Sequence, residues 1–263
     1  MTLPVISIVT ISYNQAHYLE ECLRSVLEQD YPHIDHIVVD PGSQDGSREI
    51  IQAHAARLSS VVLSPDDGPA DGLNKGFAQA RGSVFCYVNA DDRLCPGALR
   101  TMGEFFTMHP EVDVACGAIR IIDRDGRPAP RKRTADRFDL ARYVAGVCTV
   151  GQQGTFFRRA AFEAAGGFNV GNRVCWDGEL LVDMALLGAH FATLPKVIGD
   201  FRIYSESITG SQRLHQRYEH EQVRIAAKIA ARGIALHDPW ITRWLRSAYR
   251  FNPFRHLGYL LVR

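Results

Sequence analysis

Apolar runs with strand-like and helix-like spacing alternate along the first part of the chain. Residues 5–11 form an apolar run that reads as a buried strand. Leu19, Cys22, Leu23, Val26 and Leu27 then recur at helical spacing, and residues 34–40 read as the next strand. This is a β-α-β unit. A turn rich in Gly and Ser, residues 41–47, leads into a helix expected to reach about residue 58, with a short strand at 61–64. A helix over 71–80 stops at Gly82 and delivers the chain into an apolar strand, residues 84–89. Right-handed crossovers between such units predict an α/β fold with a mostly parallel sheet flanked by helices. In open sheets of this kind ligands bind outside the carboxyl ends of the strands, where Ser12, Asn14, Asp40, Ser43 and residues 89–92 all fall.

Beyond residue 110 the pattern loosens. Residues 112–122 read as a strand, 126–133 as a basic turn, 138–144 as a helix, 155–157 as a short strand and 159–165 as a short helix, with Gly166-Gly167 as a stop. No domain boundary stands out there. Trp176-Asp177-Gly178-Glu179 opens a helix that carries Leu180, Leu181, Met184 and Leu187 inward, and Asp177 fits its N-cap, a role that contributes about 1 kcal/mol.

The most chemically loaded stretch is the end of the strand at 84–89. Period-two geometry projects Tyr87, Asn89 and Asp91 to one face while Asp92 begins a loop. Adjacent carboxylates at a strand end repel each other, at a cost of several kcal/mol unless a cation or water screens them. One reading is a site for Mg²⁺ or Mn²⁺ held through few protein ligands beside a phosphate. The other is a solvated acidic turn in which Asp92 caps the next helix.

Composition narrows the partners. The chain has 263 residues, 46% of them hydrophobic, with a net charge of +1, which gives no global attraction to nucleic acid. Its six cysteines form no CxxC pair, a pattern of reduced, cytosolic usage. The chain enters its first strand without a basic leader, and no stretch approaches the ~18 apolar residues of a membrane span, so the catalytic part is expected in the cytoplasm.

Taken together, the strings 7–14, 38–43, Asp71-Gly72-Leu73-Asn74-Lys75-Gly76, Asn89-Ala90-Asp91-Asp92 and Trp176-Asp177-Gly178-Glu179 resemble family 2 of the glycosyltransferases, in order and in spacing, over residues 5–209. The resemblance implies a GT-A (Rossmann-like) fold and an inverting transfer from a nucleotide diphosphate sugar to a hydroxyl of a glycan or lipid-linked acceptor. It places Thr10, Ser12, Asn14 and Ser43 near the base and ribose, with Asp40 as acceptor for a uracil-like imide, favouring a UDP or dTDP donor. A turn-forming role before Pro41-Gly42 is the alternative for Asp40. Asp67, Asp71, Asn74 and Lys75 match the segment beside the diphosphate, although Asp71 also fits a helix cap and Lys75 a solvated position.

The resemblance further implies that Asn89 and Asp91 stand at the ends of a DXD motif, with Asp91 and Asp92 as ligands of Mn²⁺ or Mg²⁺. The histidine that the family sometimes adds from an Arg-x-His segment is here Tyr204, and His215 is a distant substitute. Asp177 matches the catalytic base, with Glu179 in reserve. Trp176 matches a stacking wall for a sugar ring or a core aromatic. Arg202, with Ser207 and Thr209, matches a loop over the diphosphate, and Gln152, Gln153 and Thr155 match the acceptor side.

Residues 1–230 are expected to form the catalytic domain and 231–263 a helical extension. From Trp240 onward the extension is basic and aromatic without an acidic residue, which suits an anionic membrane surface at the inner leaflet. A helix packed on protein has the same composition. Two functions follow: an inverting transferase of cell-surface glycan assembly, or a catalytically silent relative that binds a nucleotide sugar or scaffolds an assembly. A nucleotidyltransferase would want a glycine-rich basic loop after the first strand, which Tyr13-Asn14-Gln15-Ala16-His17 is not.

Overall fold

The structure, a computed structural model, describes residues 2–133, 135–207, 214–236, 240–242, 244 and 247. Its first half follows the expected alternation: β1 (Ile6–Ile11), α1 (Ala16–Leu27), β2 (Ile34–Val39), α2 (Ser47–His54), β3 (Ser60–Val62), α3 (Pro69–Phe77) and β4 (Val84–Asn89). Then come β5 (Arg93–Leu94), α4 (Ala98–Met108), β6 (Val114–Ile122), β7 (Pro128–Arg133), α5 (Leu140–Val144), β8 (Thr155–Arg158), α6 (Arg159–Ala164), α7 (Trp176–Leu186), β9 (Phe191–Arg202) and α8 (His215–Ala230). One sheet runs β3-β2-β1-β4-β8-β6-β9-β5, with β7 paired to β6. Strands β3, β2, β1 and β4 are parallel, as is the β6–β9 pair, and β8 joins the two parts antiparallel.

Strand alternation sorts the core into two layers. In β4, Phe85 and Tyr87 pack with α3, α6 and α7, whereas Val84, Cys86 and Val88 pack with α1 and α4. Beneath the sheet the rings of Phe77, Phe85, Phe157, Phe162 and Phe168 form one cluster, with Phe77 and Phe85 stacked at 4.7 Å. Buried polar groups tie the strands at their other end. The Ser7 hydroxyl donates to Asp35 at 2.6 Å and accepts from the Gly82 amide at 2.8 Å. A Cβ at Gly82 would lie 2.6 Å from the Val5 carbonyl, so close backbone approach, and not only a helix stop, requires glycine there. All the cysteines except half-buried Cys148 are buried, and burial raises the thiols of Cys22, Cys86, Cys95 and Cys116 above their ordinary range.

Two expectations change. The basic turn at 126–133 is the second arm of a hairpin: Asp123 Oδ1 accepts the amides of Asp125 and Arg127, Gly126 takes φ +78°, and β7 pairs antiparallel to β6. Its polar sequence hides it from a search for apolar alternation. Strand β9 was also concealed, because Pro195 interrupts it. The register jumps from Gly117↔Leu194 to Ala118↔Val197, so Pro195 falls in a bulge where no ladder amide is needed. Beyond the boundary expected at residue 230, Ile234 and Leu236 pack against the core.

Candidate active site

Strands β2, β1 and β4 end side by side, with Val39 and Asn89 both in register with Ile11, and a cavity of about 610 Å³ opens beyond them. Ser12, Asp66, Gly68 and Pro69, Asn89 to Asp92, Trp176, and Phe201, Tyr204, Glu206 and Ser207 surround it. Among the described residues four carboxylates line this cavity, Asp66, Asp91, Asp92 and Glu206, and no lysine or arginine does. Burial raises the Asp66 and Asp91 carboxyls, and Asp92 rises well above its ordinary range through burial and the neighbouring Asp91 charge. The buried Ser12 Oγ and Asn89 Oδ1 have no partner among the described residues. Crowded carboxylates and orphaned oxygens are what a hard cation and a polar ligand would satisfy.

The two aspartates divide their work. Asp92 is fully engaged: Oδ1 accepts the Arg202 amide at 2.9 Å and Oδ2 accepts Gln153 Nε2 at 2.8 Å and Asn89 Nδ2 at 3.4 Å. It fixes the turn and does not cap α4, whose N-cap is Gly97. Asp91 accepts the Tyr204 hydroxyl at 3.1 Å on Oδ2, which leaves Oδ1 as the more available carboxylate oxygen. Among the described residues no group of three His, Cys, Asp or Glu is poised to hold a metal ion, so a cation here would draw on Asp91, phosphates and water.

Several sequence-expected binding residues are otherwise occupied. Thr10 is fully buried with its hydroxyl 3.0 Å from His36 Nε2, inside the sheet and away from the cavity. Asn14 and Ser43 clasp two loops: the Asn14 amide donates to Ser43 Oγ and Asn14 Oδ1 accepts the Gln44 amide, with Asn14 at φ +51°. Asp40 builds its turn through Oδ1, which accepts the Gly42 and Ser43 amides and Arg48 Nε, while the buried Oδ2 has no partner among the described residues. Lys75 is paired with Asp71 at 2.8 Å and donates to the Pro65 carbonyl, so its charge is already matched. The Asp67 amide donates to Asp71, and Asp66, one residue earlier, is the carboxylate that lines the cavity. Asn74 buckles α3 to the loop before α7 through both backbone groups of Phe168. Arg202 is not on a loop over a ligand. It ends β9, is 2% exposed, and donates to the carbonyls of Asp91, Asp123 and Arg124 while packing over the Tyr18 ring.

A second cavity of about 550 Å³ lies on the other side of Trp176-Asp177, and Phe201 borders both. Trp176, 9% exposed, faces the first cavity, whereas Asp177 faces the second beside Tyr87, Tyr143, Gln152, His215 and Tyr218. Asp177 is the second residue of α7, whose N-cap position is Cys175, so its carboxylate is not spent on a cap. It enters no ion pair among the described residues, and burial raises its carboxyl above the ordinary range. Glu179 is placed differently and is unsuited to accept a proton. It is 1% exposed, receives Asn169, Asn172, Arg224 and Lys228, and these donors hold its carboxyl down at about 2.

Tyr143 and Tyr218 were missed because α5 and α8 meet α7 only in the fold. Thr209 lies outside the described residues, as does most of the segment after 236.

Comparison with known proteins agrees with this geometry. The family model for glycosyl transferase family 2 matches residues 7–166. TuaG of Bacillus subtilis, described as a teichuronic acid biosynthesis glycosyltransferase, is 32% identical over 56% of this chain and 61% of its own length, so the chain spans about three fifths of that relative. A PGL/p-HBAD biosynthesis glycosyltransferase of Mycobacterium bovis is 28% identical over 68% of this chain and 69% of its own. Among solved structures, S. aureus TarS 1-349 in complex with UDP-GlcNAc superposes with a TM-score of 0.69 at 22% identity, covering 98% of this chain and 76% of that one. The mannosyltransferase PcManGT from Pyrobaculum calidifontis, in complex with GDP-Man and Mn²⁺, gives 0.66 at 22% identity, covering 99% and 74%. With its motifs, its GT-A fold and a family model that spans most of its length, the chain belongs to glycosyl transferase family 2.

Proposed function

We propose that this protein transfers a sugar, with inversion, from a nucleotide diphosphate sugar to a hydroxyl of a glycan or lipid-linked acceptor in cell-surface glycoconjugate assembly. The observation that carries this reading is the pair of cavities parted by Trp176-Asp177, one crowded with carboxylates and one holding, among the described residues, a single carboxylate that enters no ion pair. The donor fills the first cavity, with its base toward Ser12 and the Asp40 turn. A divalent cation, Mn²⁺ or Mg²⁺, supplies positive charge to the departing diphosphate when bound, and Asp91 is the residue placed to hold it. Asp92, Gln153 and the Arg202 amide keep the turn carrying Asp91 in place.

The acceptor enters the second cavity. Asp177 takes the proton from its hydroxyl as that oxygen forms a bond to the anomeric carbon, while the bond from that carbon to the phosphate oxygen breaks on the opposite face. Direct displacement of this kind inverts the anomeric centre. Trp176 separates the reacting groups from the donor cavity wall and excludes water. Support for the donor class comes from the UDP-GlcNAc bound to TarS, for a metal from the Mn²⁺ in the PcManGT complex, and for a glycoconjugate product from the teichuronic acid and PGL/p-HBAD biosynthesis of TuaG and the mycobacterial relative. No helix among the described residues is long and apolar enough to cross a membrane. Trp240 and Trp244, 72% and 62% exposed, support residues 240–263 as a peripheral contact with the inner membrane face.

Tyr204, seated on Asp91, favours the competing reading of a catalytically silent relative. A thermal-shift panel of UDP-, dTDP- and GDP-sugars, each with Mn²⁺ and with EDTA, tests both. Stabilisation by one donor that requires the ion, and that is lost in Asp91→Ala, is expected. A folded protein that no donor stabilises would overturn the transferase reading, and donor binding without turnover on any acceptor would favour the silent relative.

A further inference from the structure

The donor cavity has a charge deficit that its lining does not meet. Among the described residues, four carboxylates and no lysine or arginine face a space proposed to receive a diphosphate. The cations around its edge are committed: Arg48 to Asp40, Lys75 to Asp71, Arg124 to Glu206 and Arg202 to three carbonyls and Glu21. Arg173 differs from them, entering no ion pair or hydrogen bond among the described residues.

Its setting brings it to the same cavity. Arg173 lies in the loop before α7, and its guanidinium rests on Gly68, a cavity-lining residue at φ +100°. A Cβ on Gly68 would lie 2.1 Å from Arg173 Nη1, so glycine there leaves room for the guanidinium at the cavity rim. Its field reaches both Asp66, where it partly opposes the rise caused by burial, and Asp71, where it adds to the lowering led by Lys75. The base of the side chain is held firmly: Asn172 Oδ1 accepts the Val174 and Cys175 amides, and Asn172 Nδ2 donates to Glu179 at 2.8 Å. Val174 lines the second cavity, so consecutive residues of this loop serve opposite sides of the site. A fixed backbone bearing an uncommitted, forked cation at the rim of this cavity is suited to bidentate capture of phosphate oxygens.

We infer that Arg173 is a donor-binding residue whose guanidinium grips the diphosphate of the nucleotide sugar. This rests on the transferase reading above. As the bond from the sugar to the diphosphate breaks, charge grows on the departing oxygens, and Arg173 offsets it from the Gly68 rim of the cavity.

The test is calorimetric or NMR titration of wild type, Arg173→Ala and Arg173→Lys with UDP and GDP, each against its own nucleoside, in Mg²⁺ and in EDTA. Arg173→Ala is expected to weaken binding of the preferred diphosphate by about tenfold or more and to leave nucleoside binding unchanged, with Arg173→Lys in between. Unchanged diphosphate affinity in Arg173→Ala would overturn the assignment. Equal losses for nucleoside and diphosphate would also overturn it, by showing that Arg173 only shapes the loop. Wild-type protein that binds neither diphosphate would reject the transferase reading itself, and the inference with it.

Discussion

Asp177 and Glu179 sit two residues apart in the first turn of α7, yet their surroundings have little in common. Glu179 points into the junction of α7, α8 and the loop at 169–172, where two cations and two amides saturate it. Asp177 points into a cavity and meets no cation among the described residues. One carboxyl is consequently driven down to about 2 and the other up. Helix position alone therefore does not assign a role to an acid; the number of donors aimed at it does. The saturated acid is committed to packing, and the half-buried one keeps its carboxylate facing a cavity.

The comparison breaks most visibly at Glu179. Glu179→Ala strips the shared anion from Arg224 and Lys228 and is expected to cost about 3 kcal/mol in urea unfolding, while activity per folded molecule survives. A variant that keeps its stability but loses turnover would reverse the two roles. Next in size, Asp177→Asn is expected to lower kcat by ~10² or more with donor affinity retained. Equal turnover would remove Asp177 from the mechanism.

The pH dependence sharpens the contrast. Because the folded Glu179 carboxyl is depressed from 4.5 to about 2, the unfolded chain binds more protons in that window, so this contribution to stability is full above about pH 4.5 and is lost as pH falls toward 2. Glu179→Gln is expected to flatten that part of the stability curve, and an unaltered slope would contradict the ion-pair account. The smallest effect has the opposite sign. A carboxyl raised by burial disfavours the folded state once ionised, so Asp177→Asn is expected to raise stability slightly at neutral pH. A fall in Tm for that variant would show that Asp177 has a structural partner after all.

The parallel half of the fold was legible because its buried strands are short apolar runs bounded by turns, as in residues 6–11 and 84–89. Strands β7 and β9 were not, since one is polar and the other is interrupted by Pro195, and each is defined by its partner β6. At the site, the sequence placed Asp91 and Asp177 beside cavities but was blind to competition for side chains. Thr10, Asn74, Lys75 and Arg202 have the right chemistry at matching positions, and each is taken by a nearby protein group that only the folded chain supplies. Asp66 and Arg173 were overlooked for the complementary reason: their significance comes from approach to a cavity edge and carries no local motif.

The buried cysteines give the molecule an internal clock. A thiolate is the species that alkylating reagents attack, and Cys22, Cys86, Cys95 and Cys116 are shielded and held in the thiol form while the core is closed. Half-buried Cys148 provides a contrasting site. Labelling at the four core positions therefore proceeds at the pace at which the two layers open, so mass spectrometry can time local and global opening of the sheet without an added probe.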